Sequence, residues 1–147
     1  MNSRFPNLNS LWAEAAVEEL VRCGVRLFCL CPGSRSTPLT AAAARHEAAR
    51  KIVHFDERGA AFCALGYARA TEKPAAVVVT SGTAAANLYP AVIEAAMDGV
   101  PLLVLTADRP PELRASGANQ TIDQTKLYAD YPRWFFDLPC SSRETPP

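Results

Sequence analysis

Apolar residues follow two spacings that alternate along the chain. From Leu11 to Cys23 they recur at the spacing of one helix face, and Gly24 is placed to end that helix. Short, continuous apolar runs then alternate with longer segments of helical spacing. The predicted strands are 25–31, 52–55, 75–80 and 101–106. The predicted helices between them are an alanine-rich segment ending near Arg50, then 57–71, and then 83–97 with a bend at Pro90.

The runs predicted as strands are apolar throughout rather than alternating. Strands covered by helices on both faces have this pattern, and strands that alternate with helices form parallel sheets. The order of elements therefore predicts an α/β fold, with an open, mainly parallel sheet and helices on both faces. After the fourth strand we predict a short helix at 122–130 and a last strand at 134–138.

Composition narrows the class of protein. The chain has 147 residues, 49% of them hydrophobic, and its 15 basic and 15 acidic residues cancel. This length suits one domain, which we place at 1–140, with 141–147 as the start of a linker to domains outside this chain. Because the chain has no basic tract, we expect no nucleic-acid partner. No apolar run is long enough for a membrane span, and the polar N-terminus does not resemble a signal peptide.

The cysteines indicate a reduced compartment. There are five, an odd number, and no Cys-x-x-Cys pair occurs. Cys29 and Cys31 lie two residues apart in a predicted strand, so they share one face. We expect buried, free thiols in the cytoplasm or in a plastid stroma. His46 and His54 are poorly spaced for zinc, so we predict no metal site in this chain.

Polar clusters follow the first two predicted strands. Ligands of open α/β sheets bind beyond the carboxyl ends of the strands, so these positions are candidates for a site. In the turn after the first strand, Ser34 and Arg35 could hold a carboxylate or phosphate, although such a turn also occurs as plain helix capping. Glu57 opens the helix after the second strand. It could bind a ligand nitrogen, or it could simply favour the helix dipole.

The last two predicted strands also end in polar segments. Gly82 lies in a turn at a helix N-terminus, which could bind an anion or serve only as a cap. Arg109 begins an unusually long loop that also contains Asn119 and Gln120, and it could bind a substrate carboxylate or pair with a neighbouring acid. No nucleophilic triad is visible. We therefore expect a bound cofactor to supply any difficult chemistry.

Four segments together resemble one enzyme family. They are CPGSRSTPL at 31–39, HFDERGAAFCALGYARAT at 54–71, VTSGTAAANLYPAVIEA at 79–95 and LTADRPPELRASGANQTIDQ at 105–124. The family is the thiamine-diphosphate-dependent 2-succinyl-5-enolpyruvyl-6-hydroxy-3-cyclohexene-1-carboxylate synthases of menaquinone and phylloquinone biosynthesis. The resemblance covers roughly residues 9–140 and corresponds to the family's N-terminal, pyrimidine-binding domain.

The resemblance implies a role for each matching residue. Glu57 matches the glutamate that hydrogen-bonds N1′ of the cofactor's aminopyrimidine, so that the tautomer able to remove the C2 proton is favoured. Gly82 and Asn87 match the turn beside the pyrimidine. The positions that match the family's substrate pocket are Ser34, Arg35, Arg109, Asn119 and Gln120. Of these, Gln120 is also expected to position the substrate or an intermediate during catalysis.

The resemblance also implies the reaction and the partners. The family decarboxylates 2-oxoglutarate and adds the succinyl group to isochorismate, and two arginines suit such polycarboxylate substrates. The cofactor's Mg²⁺ and diphosphate site lies in a C-terminal domain with a Gly-Asp motif, which this sequence lacks, so the chain alone is expected to be inactive. A homodimer or larger homo-oligomer is expected of the full-length enzyme. The alternatives are another thiamine-diphosphate enzyme and a non-catalytic α/β module that binds a small anion.

Overall fold

Four parallel strands form the centre of the chain in a computed structural model that describes residues 5–142. The sheet order is β2-β1-β3-β4, and every pair of neighbours is parallel. The strands are β1 (Leu27–Leu30), β2 (Arg50–Val53), β3 (Ala75–Val79) and β4 (Leu102–Thr106). The helices are α1 (Leu8–Arg22), α2 (Thr37–Arg45), α3 (Glu57–Thr71), α4 (Thr83–Ala86) and α5 (Tyr89–Asp98), and a short 3₁₀ turn spans Pro111–Leu113.

Helices cover both faces of the sheet, so the predicted α/β class is confirmed. Because side chains alternate along a strand, Cys29 of β1 and Val77 of β3 face one side, where α3 packs together with Leu88 and Ala91. Phe28 of β1 faces the other side, where α1 and α2 pack. The two cores share the central strands β1 and β3, all of whose residues are buried.

The outer strands differ from the prediction in their burial. Every residue of β2 is exposed, and those of β4 are half-buried. The apolar run 52–55 suggested a covered strand, but β2 starts at Arg50 and ends at Val53, so Phe55 lies beyond it and is fully exposed. This edge therefore presents an apolar surface that is uncovered in the single chain.

Alanine brings α3 close to the sheet. Ala60, Ala61, Ala64 and Ala68 form one stripe of the helix, and each is at most 1% exposed. A stripe of methyl groups allows the helix backbone to pack near β1 and β3. Asp56 caps the start of α3, where its carboxylate accepts a hydrogen bond from the Gly59 backbone N–H at 2.7 Å. The cap fixes the position at which Glu57 begins the helix.

Two of the predicted helices end or break earlier than expected. The alanine-rich helix stops at Arg45 rather than near Arg50, because Arg50 already belongs to β2. The helix predicted at 83–97 is two helices, α4 and α5. Pro90 has no N–H to bond back to Ala86, so it cannot continue the first helix and instead lies in the opening turn of the second.

The segment after the 3₁₀ turn is irregular, so the predicted helix at 122–130 and strand at 134–138 are wrong. Lys126 and Ala129 have positive φ angles, which interrupt a helix. Residues 134–138 have no strand partner among the described residues and are largely exposed. Arg114 holds this segment through two hydrogen bonds to Asp137, at 2.7 and 3.1 Å, and these bonds lower the pKa of Asp137.

The described part of the chain ends within the predicted linker. Only residues 141 and 142 of the linker predicted at 141–147 are described, so most of it lies outside. Within residues 5–142, no helix has both the length and the apolar character needed to cross a membrane.

We predict that Gly33→Ala lowers the free energy of unfolding by about 1–3 kcal/mol. Gly33 follows β1, and a Cβ there would lie 2.5 Å from Cβ of Thr80, which follows β3. The substitution must therefore force the two turns apart, and chemical denaturation monitored by circular dichroism measures the loss.

Gly66→Ala is the matched control for this prediction. A Cβ on Gly66 would meet nothing within 4 Å, and the position lies inside α3. We expect this variant to be stabilised by up to about 1 kcal/mol, because alanine favours a helix. A Gly33→Ala protein as stable as the Gly66→Ala protein would contradict the close approach of the two turns.

Candidate functional site

The turns after β1 and β3 meet at the carboxyl end of the sheet. The chain connects outward from β1 to β2 on one side and from β3 to β4 on the other, so the strand order reverses between β1 and β3. Gly33 lies against Thr80, with no space for a side chain between them. The Ser36 hydroxyl closes the first turn, because it accepts from the Gly33 N–H at 3.2 Å and donates to the Gly33 carbonyl at 3.1 Å. Ser36 is fully buried. This position in an open α/β sheet is where ligands bind.

The long loop after β4 folds back over the turn that follows β3. Ser81 is buried, and its hydroxyl donates to the Gln120 carbonyl at 2.7 Å. Gly82 has a φ of 78°, and a Cβ there would lie 2.9 Å from the same carbonyl oxygen. Glycine is thus required at position 82 both for its backbone angle and for space. Gln120 itself has a positive φ of 53°, an uncommon conformation held by these contacts.

Gln124 fixes the same loop and was not assigned a role from the sequence. Its Oε1 accepts a hydrogen bond from the Gly82 N–H at 2.7 Å, and its Nε2 donates to the Ala107 carbonyl at 3.1 Å. One side chain therefore joins the loop to the ends of β3 and β4. The sequence analysis placed Gln124 in a predicted helix, and a glutamine at such a position gives no indication that its side chain joins two strand ends.

Two arginines converge on this loop. Nη2 of Arg35 donates to the Asn119 carbonyl at 3.1 Å, and Nη2 of Arg109 donates to the same oxygen at 2.9 Å. Nη1 of Arg35 also donates to Oε1 of Gln120 at 3.2 Å. The structure thus brings four of the predicted substrate residues together, although they come from loops that follow different strands.

The arginine pair carries positive charge without a compensating carboxylate. Within the described chain, neither Arg35 nor Arg109 forms an ion pair, and the Nε atoms of both are buried without a hydrogen-bond partner. Asp108, which the sequence left as a possible partner of Arg109, accepts only from the backbone N–H of Arg109, at 2.7 Å, and forms its ion pair with Nε of Arg114 at 3.2 Å. Two unneutralised guanidinium groups on one carbonyl can bind a carboxylate or dicarboxylate in a charge-assisted, bidentate manner.

Glu57 and Asn87 form a second group at the same end of the sheet. Glu57 is the first residue of α3 and half-buried, and its Oε2 accepts a long hydrogen bond, 3.5 Å, from Nδ2 of Asn87. Asn87 ends α4, whereas Gly82 precedes the first residue of the same short helix. The helix α4 therefore links the Glu57 group to the loop that holds the arginines.

Arg35, Arg109, Asn119 and Gln120 together form the arginine group. Ser34 lies apart from this group. It is exposed and lines a groove of about 350 Å³ between the start of α1 and α2, together with Asn7, Glu14 and Arg45. Its neighbour Arg35 points to the loop at 119–120 instead. The role predicted for Ser34 in substrate binding stays a prediction.

Cys31 lies at the end of β1 near the Glu57 group. Burial raises the pKa of its thiol to about 11, and the negative charges of Glu57 and Asp56 contribute further. At neutral pH the group is therefore a neutral thiol, and it is a poor nucleophile because the thiolate is the reactive form. All five cysteines are free thiols, but only Cys29 and Cys31 are buried as predicted. Cys63 is half-buried, and Cys23 and Cys140 are exposed.

Comparison with known proteins places this arrangement in a class. The family described as "Thiamine pyrophosphate enzyme, N-terminal TPP binding domain" matches residues 12–127. The match spans most of the chain and includes the turns after all four strands. The chain belongs to this family of thiamine pyrophosphate enzyme N-terminal domains.

Individual relatives of the chain share one more specific protein name. The chain is 65% identical over 139 residues to a protein of Rubrobacter xylanophilus named 2-succinyl-5-enolpyruvyl-6-hydroxy-3-cyclohexene-1-carboxylate synthase, covering 95% of this chain and 24% of the relative. Proteins of the same name from Salinibacter ruber and Haloarcula marismortui are 62% and 64% identical, over 97% and 91% of this chain and 24% and 23% of their own lengths. The chain thus spans about a quarter of the length of these curated relatives.

The residues present fit the pyrimidine end of such a cofactor. The Glu57 carboxyl accepts only one long hydrogen bond within the described chain, so it keeps acceptor capacity for a ligand N–H. Gly82 is buried, and its contacts with Gln120 and Gln124 fix the turn at the start of α4, at whose other end Asn87 lies. A carboxyl with free acceptor capacity beside this fixed turn suits the approach of a flat heterocycle that carries hydrogen-bonding nitrogens.

We predict that Gln124→Ala destabilises the chain by about 1–3 kcal/mol, because the buried N–H of Gly82 loses its partner. The free energy of unfolding in urea gives the loss. Gln120→Ala is the control, because it removes only the exposed hydrogen bond from Arg35 at 3.2 Å and keeps the backbone carbonyl that contacts Ser81 and Gly82. If both variants lose the same stability, the bridge from Gln124 to Gly82 has no energetic weight.

Proposed function

We propose that this chain is the N-terminal cofactor- and substrate-binding domain of a thiamine-diphosphate-dependent 2-succinyl-5-enolpyruvyl-6-hydroxy-3-cyclohexene-1-carboxylate synthase. The full enzyme decarboxylates 2-oxoglutarate and adds the succinyl group to isochorismate. The observation that carries the proposal is the unneutralised pair of Arg35 and Arg109 on one carbonyl. The chain in which this pair occurs is 58–65% identical to synthases of this name. Both substrates are polycarboxylates, which such a pair would recognise.

Glu57, Gly82 and Asn87 would hold the pyrimidine end of the cofactor. When bound, thiamine diphosphate supplies the carbanion chemistry that protein side chains lack. Glu57 would hold a proton at N1′ of the pyrimidine, and its place at the start of α3 fixes the carboxyl in position. Asn87 would orient that carboxyl through the contact at 3.5 Å. Gly82 would fix the turn beside the ring through its contacts with Gln120 and Gln124.

The arginine group would bind the substrates. Arg35 and Arg109 would bind the carboxylates of isochorismate, and Gln120 would position the substrate through its side-chain amide. The Asn119 carbonyl would keep the two guanidinium groups oriented before the substrate arrives, which lowers the entropic cost of binding. Ser34 would contribute from the neighbouring turn.

The rest of the enzyme would supply the metal and a second subunit. Mg²⁺ and the cofactor diphosphate would be held by a domain outside this chain, since the sequence has no Gly-Asp motif. We infer a homo-oligomer, because an apolar surface is exposed at the β2 edge, where Val53 is 62% and Phe55 fully exposed. The enzyme would act in the cytoplasm, or in a plastid stroma in a photosynthetic eukaryote.

A chimeric enzyme tests the proposed activity. This chain would replace the matching 139 residues of the Rubrobacter xylanophilus relative, and the loss of isochorismate absorbance would be followed. We expect turnover that requires thiamine diphosphate, Mg²⁺ and 2-oxoglutarate. Because general acid–base groups contribute about 10²–10⁴-fold to rates, Glu57→Gln should reduce turnover by at least about 100-fold while the fold is kept.

Glu72→Gln, at the exposed opposite end of α3, is the matched control and should keep full activity. Turnover with a different 2-oxoacid or acceptor would assign the chain to another thiamine-diphosphate enzyme. A folded chimera that binds cofactor but is inactive would indicate a non-catalytic module. Normal activity of the Glu57→Gln chimera would contradict the role of that carboxyl.

We predict that Arg35→Ala in the chimera raises the KM for isochorismate by about 10–100-fold, which is the range expected from losing a charge-assisted hydrogen bond. Cofactor affinity, measured by titration calorimetry, should be unchanged because Arg35 does not belong to the Glu57 group. Arg22→Ala is the control, since that arginine lies on the surface of α1 and pairs with Glu18. Equal loss of substrate and cofactor binding would indicate a folding defect instead.

A further inference from the structure

Three side chains that are typical metal ligands meet under α3. Cys29 of β1, His54 after β2 and Cys63 of α3 each offer one ligand atom, and these atoms all lie within 4.8 Å of one another. Cys29 is buried, and the other two are half-buried. None of the three belongs to the arginine group or to the residues assigned to the cofactor.

Strand register explains why the three residues meet. Cys29 pairs with Ile52 of β2, and His54 lies two residues beyond Ile52, so both side chains are on the same face of the sheet. The backbone N–H of His54 donates to the Leu30 carbonyl at 2.9 Å, which holds His54 beside β1. Helix α3 covers this face and brings Cys63 to it. The sequence spacing of the histidines and cysteines shows none of this, which is why it predicted no metal site.

His54 carries a second indication of a ligand. Its Nε2 atom is buried and has no hydrogen-bond partner among the described residues. Buried polar atoms in native proteins are almost always satisfied, so one that is not calls for a partner that the chain itself does not provide. A metal ion bound to Nε2 would give this atom the partner that it lacks.

The donor set selects the metal. Two thiolates and one imidazole favour Zn²⁺, which binds sulfur at about 2.3 Å and nitrogen at about 2.0–2.1 Å in tetrahedral geometry. Two sulfurs on one tetrahedral zinc are about 3.8 Å apart. The observed limit of 4.8 Å is therefore within about 1 Å of that geometry, a change that side-chain rotation can supply.

We propose that Cys29, His54 and Cys63 form a Zn²⁺ site whose fourth position is taken by water. The site would join β1, the end of the exposed edge strand β2 and α3. Its ligand His54 lies three residues before Glu57 in the sequence. Burial and the neighbouring Cys63 thiol raise the pKa of Cys29, so the thiol is protonated before the metal binds and zinc must displace protons. The inference does not depend on the proposed enzymatic function.

Zinc binding to the 147-residue chain tests the site. Cys23 and Cys140 are exposed, so both are first changed to serine to remove adventitious ligands. The reduced background protein should bind one Zn²⁺ per chain by elemental analysis. Co²⁺ in place of zinc should give thiolate charge-transfer and tetrahedral visible absorption bands. Saturating Zn²⁺ should raise Tm by about 5–10 °C, as expected at about 100 times Kd.

Cys63→Ser and His54→Ala, each in the same background, should lose the Co²⁺ spectrum and the Tm shift. Cys31→Ser is the matched control, because Cys31 is buried on the same strand face but lies outside the cluster, and it should keep both. If the chain alone is unfolded by circular dichroism, the same variants are compared in the chimera. Folded background protein without stoichiometric zinc would overturn the proposal, as would zinc binding that survives both Cys63→Ser and His54→Ala.

Discussion

The candidate site depends on one close contact between two backbones. The carbonyl of Gln120 occupies the space that a side chain at position 82 would need, and the Ser81 hydroxyl holds it there at 2.7 Å. Because Asn119 precedes Gln120, this contact also fixes the carbonyl on which Arg35 and Arg109 converge. Gln124 adds a second attachment to the Gly82 N–H. The position of the arginine pair thus follows from Gly82, the buried Ser81 hydroxyl and the half-buried Gln124 amide, and not from the arginines themselves.

The sequence was sufficient where local pattern and tertiary structure agree. The four strands, the face-sharing of Cys29 with Cys31, and the polar residues at strand ends all follow from periodicity and from the geometry of parallel sheets. It failed after residue 120, because Gln120, Lys126 and Ala129 adopt positive φ angles without being glycine or asparagine. Such angles are imposed by long-range contacts, which local propensity does not encode. Gln124 was missed for the same reason.

The two groups of candidate functional residues are separated by a very short helix. α4 has only four residues, with Gly82 before it and Asn87 after it. Pro90 forces the chain to begin a new helix directly afterwards, so Asn87 stays at a helix end with its side chain free to reach Glu57. The break at proline, which the sequence suggested only as a bend, therefore leaves Asn87 as the C-cap of α4.

The arginine pair also shows how the fold prepares a site at a cost to itself. Two guanidinium groups on one carbonyl repel each other, and the buried Nε atoms of both lack partners. Hydrogen bonds from Ser81 and Gln124 hold the loop on which the two groups converge, so the repulsion exists in the free chain. In the proposed function, a carboxylate bound between them would offset this repulsion with charge-assisted hydrogen bonds. Ligand affinity would then come partly from relief of an unfavourable free state, and this would favour dianionic over neutral ligands more strongly than a single arginine would.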